Sequence, residues 1–478
     1  MKATTILKNG LWITYATFIM RIFAFGSSLV LARLLEPSDF GIIGIAYVFW
    51  SFFTLFTQKV ASNFIIYKGL ENQKYVNTAY SISLVFGALI GLLVIATAPL
   101  VSIFFNEPVL TWILIAFVFH LNMACLSFLH TGVMTRQMKY RAMANINLVS
   151  SIMRLLGTIG AAFLGLSYWS FVIGDATYWI FNYALNRHYS GYKFRFQIDP
   201  EVKSEVISFY LGSVGSGFGS YINYNLDSFT VGKILGNTNL GFYNLAYQIT
   251  TAISRILDSA INQLGMPIFA QLSDDKEQKN ALLKVVEQTA ILTVPIYSLI
   301  FLMMDSQVVT FIFGAKWIPI CKVIPGLLFF SYFSVINAPL YSMMIAKGRP
   351  DINAKVNLQI APIAVLGFVF AAYQGGIVGV SLSAAIVLGF GWNIYWWWTA
   401  CRQLNWPLKQ FIIANFFPLL LMLPGIIIAF NLPLLARPFK FLIIYVISMR
   451  FFASRYFFLY QKKINQLSNR LITVKPKR

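Results

Sequence analysis

Charge is the first thing this chain lacks: 11% of its 478 residues are charged, against about 25% in a soluble domain. Acidic residues are scarcest, 16 against 37 lysines and arginines, which leaves a formal charge of +21. With 58% of residues hydrophobic, a globule facing water on every side would not have the polar residues to cover itself, and a soluble enzyme is excluded. A disordered basic tail protein is excluded too, because disorder goes with low hydrophobicity and phenylalanine alone occurs 44 times. Cysteine is nearly missing. Cys125, Cys321 and Cys401 are far apart, show no C-x-x-C spacing and form an odd set, so the pattern points to residues packed in helices and to neither a zinc site nor a disulfide framework. No metal or cofactor is called for. After Lys2 and Lys8 the apolar N-terminal stretch has Arg21 in its middle and lacks a small-residue cleavage site, so it reads as a first membrane span and not as a signal peptide. Long loops are also missing: the longest cytoplasmic connection, about residues 188–203, is a basic-aromatic linker, and no external one is long enough to fold by itself. The function therefore lies within the bilayer.

What the chain does have is apolar stretches. A spanning helix needs about 20 mostly apolar residues, and fourteen stretches fit: 9–32, 39–66, 75–103, 109–133, 143–165, 168–187, 204–230, 239–268, 282–312, 317–345, 352–373, 376–399, 408–430 and 438–459. An even number places both termini on one side. With that side cytoplasmic, inner segments hold 25 of the 37 basic residues, from Lys2 and Lys8 to the tail Lys462–Arg478, and external turns hold only Arg33, Lys233, Lys316, Arg437 and Lys440. The positive-inside rule is met along the whole length. The +21 charge is thus largely a matter of orientation, and nucleic acid is not an expected partner.

The chain also repeats itself. Leu35, Gly41, Ala46 and Tyr47 recur 200 residues on as Leu235, Gly241, Ala246 and Tyr247, while Met134, Ala144, Asn147, Leu148, Leu156, Gly157, Ala161 and Ala162 recur at an offset of 210 as Met344, Ala354, Asn357, Leu358, Leu366, Gly367, Ala371 and Ala372. Spans 2 and 8 both run inward, and spans 5 and 11 both run outward. The expected architecture is an all-α polytopic membrane protein with two parallel six-helix lobes related by an axis along the membrane normal. Residues 1–200 form the first lobe (spans 1–6), 201–403 the second (spans 7–12), and 404–478 add spans 13 and 14 and a basic cytoplasmic tail. A cleft between two such lobes suits alternating access.

The stretch Leu31-Ala-Arg-Leu-Leu-Glu-Pro-Ser-Asp-Phe-Gly41 resembles the start of bacterial polysaccharide exporters, the lipopolysaccharide and O-antigen flippases of the superfamily that includes the multidrug and toxin extrusion transporters. Asp227-Ser-Phe-Thr-Val-Gly-Lys-Ile-Leu-Gly236 and Leu240-Gly-Phe-Tyr-Asn-Leu-Ala-Tyr247 resemble the opening of their second lobe. The resemblance covers nearly the whole chain. It implies a non-enzymatic flippase in the bacterial inner membrane, moving an undecaprenyl-pyrophosphate-linked oligosaccharide to the external leaflet. These motifs are scaffold signatures, so the cargo has to be argued from the cleft.

A basic residue at mid-helix costs roughly 2.5–3.5 kcal/mol, and each needs a partner, an aqueous cavity or a role. Arg21, Arg154 and Arg255 lie near the centres of spans 1, 5 and 8 on polar stripes at helical spacing: Thr14, Thr17, Arg21 and Ser28; Asn147, Ser150, Arg154 and Thr158; Gln248, Thr251, Arg255, Asp258 and Asn262. Such stripes face protein or water. Two readings stand side by side. In one, Arg154 pairs with Asp175 of span 6 and Arg255 with Asp258, as structural salt bridges. In the other, the arginines face the cleft and hold the pyrophosphate, for which the planar guanidinium offers bidentate hydrogen bonds. At the repeat offsets Arg21, Arg154, Arg255, Asp258 and Asp227 correspond to Tyr221, Ala364, Leu55, Gln58 and Ser27. None of these charges is duplicated, which suits cargo or coupling better than scaffold. An excess of arginine at mid-depth favours an anionic cargo over the cationic drugs of an antiporter on the same fold, the alternative function. A membrane polymerase, a third possibility, would need a catalytic external loop. Asp175, Asp258, Asp227 and His120 are candidates for ion pairs or for coupling to a proton or sodium ion.

Three further features have structural readings. Tyr395-Trp-Trp-Trp398 reads as an interfacial aromatic belt. Gly212, Gly215, Gly217 and Gly219 read as small residues at packing spacing. Eight prolines, Pro99, Pro267, Pro295, Pro325, Pro339, Pro362, Pro418 and Pro424, read as kinks.

Overall fold

The structure is a computed structural model that describes residues 26–452 except 58, 59 and 273, with isolated positions 12, 19, 20, 23 and 24. The described chain is helical throughout and contains no strand. Its elements are α1 (residues 26–34), α2 (Pro37–Leu55), α3 (Val60–Lys68), α4 (Gln73–Phe105), α5 (Val109–Arg136), α6 (Tyr140–Phe163), α7 (Trp169–Ser190), α8 (Pro200–Leu235), α9 (Asn237–Ala270), α10 (Asp275–Met303), α11 (Ser306–Ile312), α12 (Ile320–Ala346), α13 (Pro350–Ser383), α14 (Trp392–Leu404), α15 (Leu408–Phe430) and α16 (Arg437–Phe452). A π-helical stretch, Ala384–Gly391, joins α13 to α14. Among the described residues eight helices are long and apolar enough to cross a membrane. The chain is a multi-pass helical membrane protein.

Local chemistry sets where the helices start. Asn72, Asp199, Asp274 and Asp305 each accept a backbone N–H of the first turn that follows them, and prolines stand in the first turns of α2, α8 and α13. The Asp305 cap divides the expected span 282–312 into α10 and α11, and the span expected at 39–66 is interrupted after Leu55 to give α2 and α3. Apolar periodicity does not reveal either break, since hydrophobic residues continue through both.

One of the eight membrane-long stretches, Asp351–Leu404, has 54 residues. A straight helix of that length would measure roughly 80 Å at 1.5 Å per residue. Instead it turns back at Gly376, whose φ of 57° and ψ of −145° are non-helical. Across the hairpin the Tyr395 hydroxyl donates to Gln359 Oε1 at 2.7 Å, and a Cβ on Gly379 would overlap the Ala371 carbonyl oxygen. The hairpin divides where spans 11 and 12 were expected to divide. Helical geometry carries on through Pro99, Pro295, Pro325, Pro339, Pro362, Pro418 and Pro424, so the sharp reversal belongs to glycine. Pro267 lies outside the described side chains. α8 is unbroken through Gly212, Gly215, Gly217 and Gly219, whose packing also lies outside them.

The tryptophan run corrects its reading as an interfacial belt. Trp396 and Trp397 are fully buried, with Trp397 Nε1 donating to Asn337 Oδ1 at 3.0 Å and its ring stacked on Phe411. Three successive helical residues point about 100° apart, so they cannot all face lipid, and only Trp398 is exposed.

α2 and α9 cross in a way that reflects the repeat. A Cβ on Gly41 would overlap the Asn237 carbonyl oxygen, and one on Gly241 would overlap the Pro37 carbonyl oxygen. These two contacts are the same contact exchanged at an offset of 200. Gly44 faces the side chain of Asn244, its own counterpart, and Asn244 Nδ2 donates to the Phe40 carbonyl. Residues that touch their own equivalents lie on a two-fold axis, so a local pseudo-axis passes between Gly44 and Asn244. Only glycine lets the two backbones approach this closely, which explains why these glycines recur.

Candidate functional site: the mid-membrane charges

Arg154 lies on α6, and Asp175 on the adjoining α7. The guanidinium meets Asp175 Oδ1 at 2.7 Å and donates to the Tyr47 hydroxyl of α2 at 3.1 Å. That hydroxyl donates to Asp175 Oδ2 at 2.7 Å, which closes a three-member network across α2, α6 and α7. Asp175 is 13% exposed, but 45% of the Arg154 side-chain surface stays open. One carboxylate therefore uses only part of the fork of donors that a guanidinium offers.

The rest of that stripe faces α7. Asn147 and Ser150 both accept from Asn182 Nδ2, at 3.2 and 3.5 Å. Asn182 Oδ1 accepts from Ser127 of α5 and from Asn186 Nδ2. Thr158 packs against Gly174, where a Cβ would strike its hydroxyl. The periodicity thus marks a polar seam between α5, α6 and α7. Sequence reasoning did not single out Asn182, Asn186 or the role of Tyr47. Their signals were the i, i+4 spacing of the two asparagines and the recurrence of Tyr47 as Tyr247.

Arg255 has a different setting. It is exposed on α9, and among the described residues no carboxylate lies within ion-pair distance of it. Its guanidinium carbon sits 6.0 Å from the centre of the Tyr247 ring. Asp258, one turn on, is not within ion-pair distance of it, and its Oδ1 is buried with no hydrogen-bond partner among the described residues. The same helix reaches α1 two turns earlier, where the Ser28 hydroxyl donates to Gln248 Oε1 at 2.9 Å. Arg21, Thr14 and Thr17 lie outside the described residues, as does the side chain of Asn262.

Asp227 is buried on α8. It accepts from the Tyr243 hydroxyl of α9 at 2.8 Å and from the Ser228 backbone N–H at 2.7 Å. His120 is buried on α5 beside the rings of Trp50, Phe117 and Phe119. The charges thus divide. Arg154, Asp175 and Asp227 make side-chain contacts between helices, while Arg255 and Asp258 have no such partner among the described residues.

An all-helical membrane chain with a repeat-related crossing and with Arg154 and Arg255 near the middles of long helices has the form of a transporter. Its fold is that of the lipid II flippase MurJ in an inward closed conformation, with a TM-score of 0.68 at 14% identity over 93% of this chain and 99% of that one. An inward-facing multidrug resistance MATE family transporter of the MOP superfamily matches at a TM-score of 0.63 and 12% identity, over 82% and 96%. Residues 30–322 match the family of polysaccharide biosynthesis proteins, and the chain belongs to it. The lipopolysaccharide biosynthesis protein WzxC of Escherichia coli (strain K12) is 22% identical over 448 residues, which is 90% of this chain and 88% of that one.

Proposed function

We propose that the chain is a flippase that carries an undecaprenyl-pyrophosphate-linked oligosaccharide from the cytoplasmic to the external leaflet of a bacterial inner membrane, for lipopolysaccharide or exopolysaccharide synthesis. The proposed machine has fourteen spans with both termini cytoplasmic. Lobes 1–200 and 201–403 rock about the α2–α9 crossing, and 404–478 is peripheral. Arg255 carries the reading: a cation at mid-helix, exposed and without a carboxylate among the described residues, gains by meeting an anion. Arg154 has spare donors to share in that role, and Arg21 is assigned to the same anion. The prenyl chain stays in lipid. No catalytic residue is assigned.

For coupling, Asp175 and Asp227 are occupied by hydrogen bonds and His120 is packed among rings, which leaves Asp258 to carry a proton or sodium ion. Family membership and the flippase-like fold support this cargo class, while the MATE-like fold keeps drug antiport as the alternative. The test is deletion of the gene followed by leaflet-resolved analysis of lipid-linked oligosaccharide. Accumulation on the cytoplasmic leaflet is expected, and normal external appearance without a redundant transporter would sink the proposal. Efflux of cationic drugs by the purified protein in vesicles would favour the alternative.

A further inference from the structure

The positive-inside rule leaves five basic residues on the external side to be explained. Arg33, at the end of α1, donates from Nε to the Ile312 carbonyl at 2.9 Å and from its other guanidinium arm to the Phe311 carbonyl. These are the last carbonyls of α11. Lys233, near the end of α8, donates to the Phe104 carbonyl at 2.5 Å and sits 4.1 Å from the centre of the Phe104 ring. Phe104 ends α4. Arg33 and Lys233 are repeat partners at an offset of 200, and α4 and α11 each close the third span of their half. The two contacts are therefore one clasp made twice. Each basic side chain crosses to the other half of the molecule and caps the negative end of a helix.

A third external cation strengthens the first clasp. Lys316 Nζ meets the Leu35 carbonyl at 2.7 Å and Glu36 Oε1 at 3.1 Å. Beside it the buried Trp317 donates from Nε1 to the Ala32 carbonyl at 2.7 Å. Helix-end carbonyls have no partner within their own helix. Once a clasp opens, water can take its place, so the fastening is reversible in a way that a dry apolar contact is not.

We propose that Arg33 and Lys233 form a paired external latch that holds the mouth between the two halves shut, and that both clasps must release for the chain to open outward. This rests on the alternating-access reading above. Three of the five basic exceptions to the orientation rule, Arg33, Lys233 and Lys316, then have a place in the latch.

The test is pulsed electron-electron distance measurement on the full chain in nanodiscs. Spin labels are placed at Leu164→Cys and Gln374→Cys, repeat-related external positions that are both exposed. Cys321 is replaced by alanine, and the buried Cys125 and Cys401 are out of reach of the label. The ratio of long to short distances should rise roughly tenfold in the Arg33→Ala/Lys233→Ala double variant, about 1.4 kcal/mol. Each single variant should give an intermediate shift, and Arg33→Lys should stay near the parent. A parent-like distribution in the double variant overturns the latch. If the double variant does not reconstitute, Arg33→Gln and Lys233→Gln are measured singly, and parent-like distributions in both overturn it equally. Failure of the latch is distinguishable from failure of the flippase reading. Shifted distances in a chain that moves no lipid-linked oligosaccharide remove the cargo and keep the latch, whereas transport with unshifted distances removes only the latch.

Discussion

Two arginines that look alike along the chain differ in their neighbours. Arg154 is held by Asp175 and Tyr47, so Arg154→Gln leaves a carboxylate of 13% exposure without its cation. Breaking a fully buried pair costs about 3–5 kcal/mol. The open face of Arg154 argues for less, about 1–2 kcal/mol, seen as a lower unfolding temperature in detergent. Arg255 has no such tie among the described residues, and Arg255→Gln should leave the unfolding temperature within a degree or two while reducing oligosaccharide translocation at least tenfold (about 1.4 kcal/mol of binding). Loss of stability in the second variant, with no loss in the first, would reverse the two assignments. The unpartnered Asp258 oxygen makes a third case: Asp258→Asn should uncouple translocation from an imposed ion gradient without unfolding the chain. A gradient response equal to the parent's would exclude it as the coupling group.

Among the elements, the α13–α14 hairpin and the α2–α9 crossing depend on glycine for different reasons. At Gly376 the backbone lies in a region closed to side chains, so Gly376→Ala should cost about 1–3 kcal/mol, measured by thermal unfolding. At Gly41 and Gly241 the backbone is ordinary helix and the constraint is the facing carbonyl. Gly41→Ala and Gly241→Ala should therefore both move the external spin-label distances toward the open state, and by similar amounts because the contacts are equivalent. Opposite effects would rule out the pseudo-axis. The repeat was readable in the residues, but its cause was not, because a glycine required for φ and a glycine required for a close crossing look the same in a sequence. Likewise the polar stripe of α6 was visible as periodicity. That most of it faces α7 depends on the partners Asn182 and Asp175, which only packing brings into reach.

For the whole molecule, the fourteen-span topology predicts the side of every turn. A reporter inserted after Gly376 should read external and one after Gly191 cytoplasmic, and the same side for both would break the assignment of spans 7–11. The proposed latch belongs to this scale as well, since it joins residues some 130 to 280 positions apart.

Composition and span length were enough to identify a multi-pass helical membrane protein, and the distribution of lysine and arginine to predict its orientation. Those properties depend on transfer free energies that each segment carries with it wherever it packs. Which charges meet a partner was decided by tertiary structure. A guanidinium at mid-membrane is a brace or a binding group according to whether a carboxylate lies within about 4 Å of it, and distances of that kind exist only once helices far apart along the chain have come together.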